Sequence, residues 1–80
     1  MTFVFYRPVV IDGCNVGYAY ANNQAFSAEG LREAYECFKR KGYEDNQISI
    51  IIKHIPEKYL TQNDIDIIEY FEKINVLVKR

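Results

Sequence analysis

The pattern of hydrophobic and polar positions predicts three short strands. Residues 9–11 are Val, Val and Ile, residues 48–52 contain four isoleucines around one serine, and residues 76–78 are Val, Leu and Val. The run at 9–11 is continuous and β-branched throughout, which is typical of a strand buried on both faces of a parallel sheet. Residues 3–5 form either a separate strand or a packing tail.

Two helical stripes lie between these strands. The first has apolar residues at i, i+3, i+4 and i+7, with Ser27 as the N-cap before it and Gly42 as the stop after it; its members are Leu31, Ala34, Tyr35 and Phe38. The second stripe contains Ile65, Ile68 and Phe71, and either Thr61 or Asn63 caps it. Residues 17–26 show no such stripe and are predicted to be a loop.

The resulting order, β-α-β-α-β, predicts an α/β domain with a parallel sheet and right-handed crossovers. In such sheets, functional groups gather at the carboxyl ends of the strands. Asp12 directly follows the first strand, so we expect its carboxylate at that edge. Gly13 allows a sharp turn after it, and Asn15 is placed to orient the carboxylate or a water bound to a metal.

Asp12 has two interpretations on sequence alone. Asp-Gly is a common turn pair, and the carboxylate then accepts hydrogen bonds from nearby backbone N–H groups. Alternatively, a carboxylate at a strand end holds a hard cation such as Mg²⁺ together with substrate phosphate oxygens. The spacing of Gly13 and Gly17 lacks the glycine pattern of dinucleotide-binding and P-loop motifs, so it gives little support to a phosphate cradle.

Size, charge and cysteine content narrow the possible functions. The chain has 80 residues, enough for one domain or part of one, and a net charge of −1, so no global basic field indicates a nucleic-acid partner. Cys14 and Cys37 lack metal-ligand spacing and are predicted to be free thiols in a reducing compartment. We expect no signal peptide and no membrane association, because no apolar run approaches the roughly 20 residues of a membrane span.

The segment RPVVIDGCNV, residues 7–16, is a specific motif that resembles one known protein family. Together with Phe26-Ser27, the helix end Lys41-Gly42-Tyr43 and the strand at 76–78, it resembles the NYN/PIN-like ribonuclease domain of the Regnase family, the CCCH zinc-finger ribonucleases. The resemblance covers nearly the whole chain. It implies a PIN-like three-layer α/β/α fold with a parallel sheet, of which residues 1–80 form the N-terminal part of a single domain.

The resemblance also implies a function. It predicts a metal-dependent endoribonuclease that cleaves single-stranded or stem-loop RNA in mRNA decay or RNA silencing, in the cytoplasm, with RNA granules or the nucleus as alternatives. Asp12 and Asn15 are the implied catalytic residues, and Asp12 the implied ligand of Mg²⁺ or Mn²⁺. Asp64 is either a second metal ligand or a partner of the helix N-terminal dipole. The basic candidates for RNA binding near strand ends are Lys53, Lys58 and Arg80, followed by His54 and Lys79. The alternative for each of them is a solvated position on the rim of the sheet.

Two departures from the family pattern support an alternative function. Further aspartates of the family follow the third strand, so residues 1–80 are expected to carry an incomplete metal site. Glu29 stands where the family has a basic residue that helps to bind RNA or a second copy, and its negative charge should repel phosphate. The alternative is an inactive PIN-like module for protein or RNA-complex assembly. In residues 1–80 the strand at 9–11 would be an open edge. We therefore expect the chain either to be half of a longer domain or to pair through this strand with another copy or a partner chain.

Overall fold

The computed structural model describes residues 7–20, 22 and 25–80. The predicted strand or tail at residues 3–5 therefore lies outside the described residues. Single turns of 3₁₀ helix occur at Asp45–Gln47 and Glu57–Tyr59. In chain order, the strands and α-helices are β1 (Val9–Asp12), α1 (Gly13–Tyr20), α2 (Ala28–Arg40), β2 (Ile48–Ile52), α3 (Gln62–Lys73) and β3 (Leu77–Lys79).

The strands of the described residues form one parallel sheet in the order β1-β2-β3. Ile11 of β1 is in register with Ile50 of β2, which is in register with Leu77 of β3. The predicted α/β class and parallel sheet are confirmed. Three bounds differ by one residue from the prediction, since Asp12 is the last residue of β1, β3 begins at Leu77 and β3 ends at Lys79.

The helices of the described residues cover one face of this sheet. Ile11, Ile50 and Leu77 point into the core between sheet and helices and are at most 6% exposed. On the opposite face Val10 is 65% exposed and Val78 is 50% exposed. The expectation that the first strand is buried on both faces is therefore wrong for Val10. The described part of the chain supplies two of the three layers expected for an α/β/α domain.

Residues 13–20 form helix α1, so the prediction of a loop beginning at residue 17 is wrong for its first four residues. The helix lacks an apolar stripe because it packs through glycine. Gly13 lies against β2, where an added Cβ would be 3.0 Å from the carbonyl oxygen of Ile51. Gly17 lies against the ring of Phe26, which is 6% exposed. Close backbone contact replaces the large side chains that helix prediction depends on.

The C-terminus of α2 and the N-terminus of α3 lie at the glycine and the capping residue that the sequence analysis identified. Gly42 has a φ of 100°, which favours glycine, and the N–H groups of Gly42 and Tyr43 donate to the carbonyls of Lys39 and Phe38. This is a Schellman motif, and the rings of Phe38 and Tyr43 pack edge to face at 5.2 Å. At α3, Thr61 is the N-cap, and its hydroxyl accepts a hydrogen bond from the N–H of Asp64.

The crossing of α1 and α2 depends on Gly30. A Cβ at this position would lie 2.8 Å from the carbonyl oxygen of Val16 and 2.8 Å from Cβ of Tyr20. We expect Gly30→Ala to lower the free energy of unfolding by about 1–3 kcal/mol through overpacking, although alanine has the higher helix propensity. Urea denaturation measures the change, with Glu33→Ala on the exposed side of α2 as the control. A more stable Gly30→Ala variant would contradict this packing.

Candidate active site at the carboxyl edge of the sheet

Asp12 ends β1 and is exposed at the carboxyl edge of the sheet. Its Oδ1 accepts a hydrogen bond from the backbone N–H of Asn15 at 3.2 Å, and its Oδ2 accepts one from the Asn15 side-chain Nδ2 at 3.0 Å. The first bond caps the N-terminus of α1. The structure thus joins the two implied catalytic residues and also gives Asp12 the local role that a turn aspartate has. Asn15 fixes the orientation of a carboxylate that remains open to solvent.

A cavity of about 350 Å³ opens beside Asp12 on the uncovered side of the sheet. Its polar side chains are Asp12, Cys14, Lys53 and Arg80, and apolar residues of β1 and β2 form the remainder of its wall. Two of the three predicted RNA-binding residues, Lys53 and Arg80, therefore lie around the same cavity as the predicted catalytic carboxylate. An anionic group that enters this cavity would meet two cations and one carboxylate.

Backbone hydrogen bonds beyond the strand ends position the two cations. The N–H of Arg80 donates to the carbonyl of Ile52 at 2.8 Å, and the N–H of His54 donates to the carbonyl of Arg80 at 3.1 Å. The pairing of β2 with β3 thus continues past both strands and places Lys53 and Arg80 at the same edge. Their positions follow from sheet pairing rather than from a flexible loop.

Cys14 is a member of this cavity that the sequence analysis did not assign to it. Its Sγ accepts a hydrogen bond from the backbone N–H of Lys53 at 3.5 Å, which links the start of α1 to the end of β2. Cys14 and Cys37, both within the described residues, are free thiols, as predicted. The signal that marks Cys14 is its place two residues after Asp12, at the beginning of a helix that the sequence did not reveal.

Asp64 lies away from solvent and serves two helices. It is 5% exposed, its Oδ1 accepts the N–H of Ala28 at 2.9 Å, and its Oδ2 accepts the N–H of Thr61 at 3.0 Å. The second bond completes a capping box with Thr61, and the first satisfies the N-terminus of α2, where the side chain of Ser27 makes no cap bond. These contacts match the helix-terminal alternative for Asp64, and we do not include this residue in the candidate metal site.

The remaining basic candidates are arranged differently. Lys58 lies in the 3₁₀ turn at Glu57–Tyr59, with its Nζ 5.0 Å from the centre of the Tyr59 ring. Lys79 forms an ion pair with Glu72 at 3.3 Å. A second cavity, of about 100 Å³, is lined by Lys53, His54 and Lys79 but also by Glu57 and Glu69. The mixed charge there makes it a weaker anion site than the cavity beside Asp12.

Glu29, the residue that departs from the family pattern, bridges α2 and α3. Its carboxylate accepts a hydrogen bond from Asn63 Nδ2 at 2.9 Å and forms an ion pair with Arg32. The hydrogen bond from Asn63, aided by the Arg32 guanidinium, holds the pKa of the Glu29 carboxyl below its usual value. The acid in this position therefore has a structural partner on each side, and its charge is partly compensated.

Within residues 7–20, 22 and 25–80, no three or more His, Cys, Asp or Glu side chains are grouped so that they could hold a metal ion. Asp12 is the acidic side chain around the larger cavity. None of the helices in the described part of the chain has the length and apolar character to cross a membrane.

Comparison with protein families relates most of the chain to a known domain. The model of the Zc3h12a-like ribonuclease NYN domain matches residues 5–77. The matched region extends from before β1 to the first residue of β3, so Asp12, Asn15 and Lys53 lie within it and Arg80 lies beyond it.

The two aspartates of α3 allow a matched test of the capping role. We expect Asp64→Asn to lower the free energy of unfolding by about 1.5–3 kcal/mol, because one of its two backbone donors loses its acceptor and the other retains only a neutral one. Asp66→Asn is the control, since Asp66 is exposed and bonds only to Gln62 among the hydrogen bonds of the described residues. Thermal and urea unfolding measure both variants. Equal stability of the two would show that Asp64 does not hold the helix ends together.

Proposed function

The chain belongs to the Zc3h12a-like ribonuclease NYN domain family, and on this basis we propose that it carries part of the active site of a metal-dependent endoribonuclease. The observation that supports the proposal is the exposed carboxylate of Asp12 at the carboxyl end of β1, beside a cavity that it shares with Lys53 and Arg80. In metal-assisted phosphodiester hydrolysis a carboxylate can hold the metal ion, and basic side chains can contact the phosphate.

The donor set around Asp12 fits a partly hydrated divalent ion rather than a protein cage. Mg²⁺ commonly binds through one or two carboxylates, keeps several waters and shares substrate phosphate oxygens. Asp12 would hold Mg²⁺ or Mn²⁺ directly, and Asn15 would keep its carboxylate oriented through their two hydrogen bonds. When bound, the ion supplies charge stabilisation for the phosphate and lowers the pKa of a bound water. Further carboxylates would have to come from outside the described residues.

The protein's own cations define how the RNA would bind. Lys53 and Arg80 lie at the ends of adjacent strands around one cavity, so they would neutralise one or two neighbouring phosphates. Because the net charge of the whole chain is −1, the attraction for RNA would be confined to this cavity and would involve only a few nucleotides. We therefore propose single-stranded RNA or the loop of a stem-loop as the substrate, with mRNA decay or RNA silencing in the cytoplasm as the setting.

A second candidate function is assembly without catalysis. β1 lies at the edge of the sheet formed by the described strands, and its residue Val10 is 65% exposed. An unpaired strand edge next to apolar surface favours addition of another strand. In this function the edge of β1 would pair with a second copy of the chain or with a partner chain, and Asp12 would serve only as the cap of α1.

Substitution of Asp12 separates catalysis from capping. Asparagine is as good an N-cap as aspartate, so we expect Asp12→Asn to keep the stability of the chain within about 0.5 kcal/mol. We expect it to abolish the cleavage of labelled single-stranded RNA in Mg²⁺ or Mn²⁺, since the charged ligand is lost. The measurement is the cleavage rate on denaturing gels beside the thermal unfolding midpoint.

If wild type and Asp12→Asn are equally inert and equally stable, the ribonuclease proposal fails for this chain. Light scattering on the same samples then tests the alternative. A stable oligomer would favour the assembly function, whereas a monomer at high concentration would count against it.

The salt dependence of RNA binding tests the two cations. We expect the double variant Lys53→Ala with Arg80→Ala to bind RNA more weakly for every sequence tested. The slope of log affinity against log salt should become shallower by about 1.4, since each lost phosphate contact on a single strand removes about 0.7. Lys73→Ala, at the exposed end of α3, is the control. An unchanged slope in the double variant would exclude Lys53 and Arg80 as phosphate contacts.

A further inference from the structure

The elements that meet at Asp12 differ in chemistry. The strand ends contribute Lys53 and Arg80 to the cavity beside it, whereas helix α1, which begins at the next residue, carries no charged side chain along its length. The exposed positions of α1 include the amide of Asn15 and the ring of Tyr18, which is 40% exposed. A polyanion that passes Asp12 would therefore meet basic side chains at the strand ends. On α1 it would meet a hydrogen-bonding amide and an aromatic ring.

Tyr18 lies about one helical turn after Asn15, so the two residues are neighbours on the surface of α1. Residues three apart on a helix face the same side, and Asn15 itself contacts Asp12 through two hydrogen bonds. The six residue steps from Asp12 to Tyr18 cover about 9 Å along the axis at about 1.5 Å per residue. Two or three stacked nucleotides at about 3.4 Å each cover the same distance.

The ring of Tyr18 is held in place from within the fold. It packs edge to face on Phe26, with ring centroids 5.9 Å apart and an angle of 72° between the planes. Phe26 is 6% exposed and lies against the backbone of Gly17, so it is a fixed support. The N–H of Ser27 also donates to the carbonyl of Gly17, which ties this segment to α1. A supported aromatic ring loses little rotational freedom when it binds a flat partner.

We propose that Tyr18 is a stacking platform for a base of single-stranded RNA, next to the phosphate that Lys53 and Arg80 bind. This inference rests on the proposed function and assigns a base-binding residue to the same site. Aromatic stacking accepts any base because each base has a π-face, so the contact provides affinity and strand position rather than sequence specificity. It also adds binding energy from helix α1, which has no basic side chain of its own.

Equilibrium binding to labelled oligouridine tests the proposal, with every variant built on Asp12→Asn so that the RNA stays intact. We expect Tyr18→Leu to weaken binding about 5- to 100-fold, since a stacked base contributes about 1–3 kcal/mol. Tyr18→Phe keeps the ring and should bind within about twofold of the parent. Tyr70→Leu is the control, because Tyr70 is 54% exposed on α3 beside a different groove.

An abasic substitution in the oligonucleotide distinguishes stacking from a structural role of Tyr18. Removing the base at the stacked position should weaken binding to the parent and to Tyr18→Phe, but it should have little further effect on Tyr18→Leu. A scan of the abasic position along the strand locates that nucleotide. If no abasic position discriminates between the parent and Tyr18→Leu, the stacking contact does not exist.

The remaining outcomes separate this inference from the function it rests on. If RNA binding depends on Lys53 and Arg80 but is equal for Tyr18→Leu and Tyr18→Phe, the stacking proposal is wrong while the proposed function stands. If the parent shows no salt-dependent RNA binding, both are wrong. If Tyr18→Leu changes the oligomeric state and leaves RNA binding intact, Tyr18 belongs to a protein contact, which also overturns the proposal.

Discussion

Parallel pairing of the strands in the described residues is the constraint on which the candidate site depends. Because β1, β2 and β3 run in the same direction and in register, their carboxyl ends meet at one edge. Asp12, Lys53 and Arg80 are far apart in sequence, and this edge is what brings them around a common cavity. Buried isoleucines of β2, the middle strand of the three, hold this arrangement in place. Ile48, Ile50 and Ile52 are each at most 2% exposed. The chemistry of the edge is thus set by the hydrophobic core beneath it.

The two aspartates singled out by the sequence show how similar groups acquire different roles. Asp12 and Asp64 both accept hydrogen bonds at helix N-termini, where the backbone offers free N–H groups. Asp64 is 5% exposed and joins two helices, so its oxygens face backbone donors in the interior. Asp12 is exposed and its main partner is the neighbouring Asn15. Exposure, rather than hydrogen bonding alone, leaves Asp12 the better candidate for binding a cation and substrate.

Much of the fold and part of the site could be predicted from the sequence. The strands, both limits of α2, the start of α3 and the position of Asp12 follow from local signals: apolar runs, a capping residue and a C-terminal glycine. Helix α1 could not be predicted, because it packs through Gly13 and Gly17 and has no apolar stripe. The link from Asp64 to the N–H of Ala28 spans 36 residues, and no local pattern reports such a contact. The exposure of Val10 depends on which face the helices cover, which a short apolar run does not specify.

The uncovered face of the sheet carries apolar residues that the described core does not bury. Val10 and Val78 are at least half exposed, so neither contributes much buried area to the folding of the described residues. A polar residue at either position would be tolerated by this fold alone. Burial in the described core therefore does not account for valine at these positions. Its preference for strands favours it there, and so would a further layer or chain packed on this face.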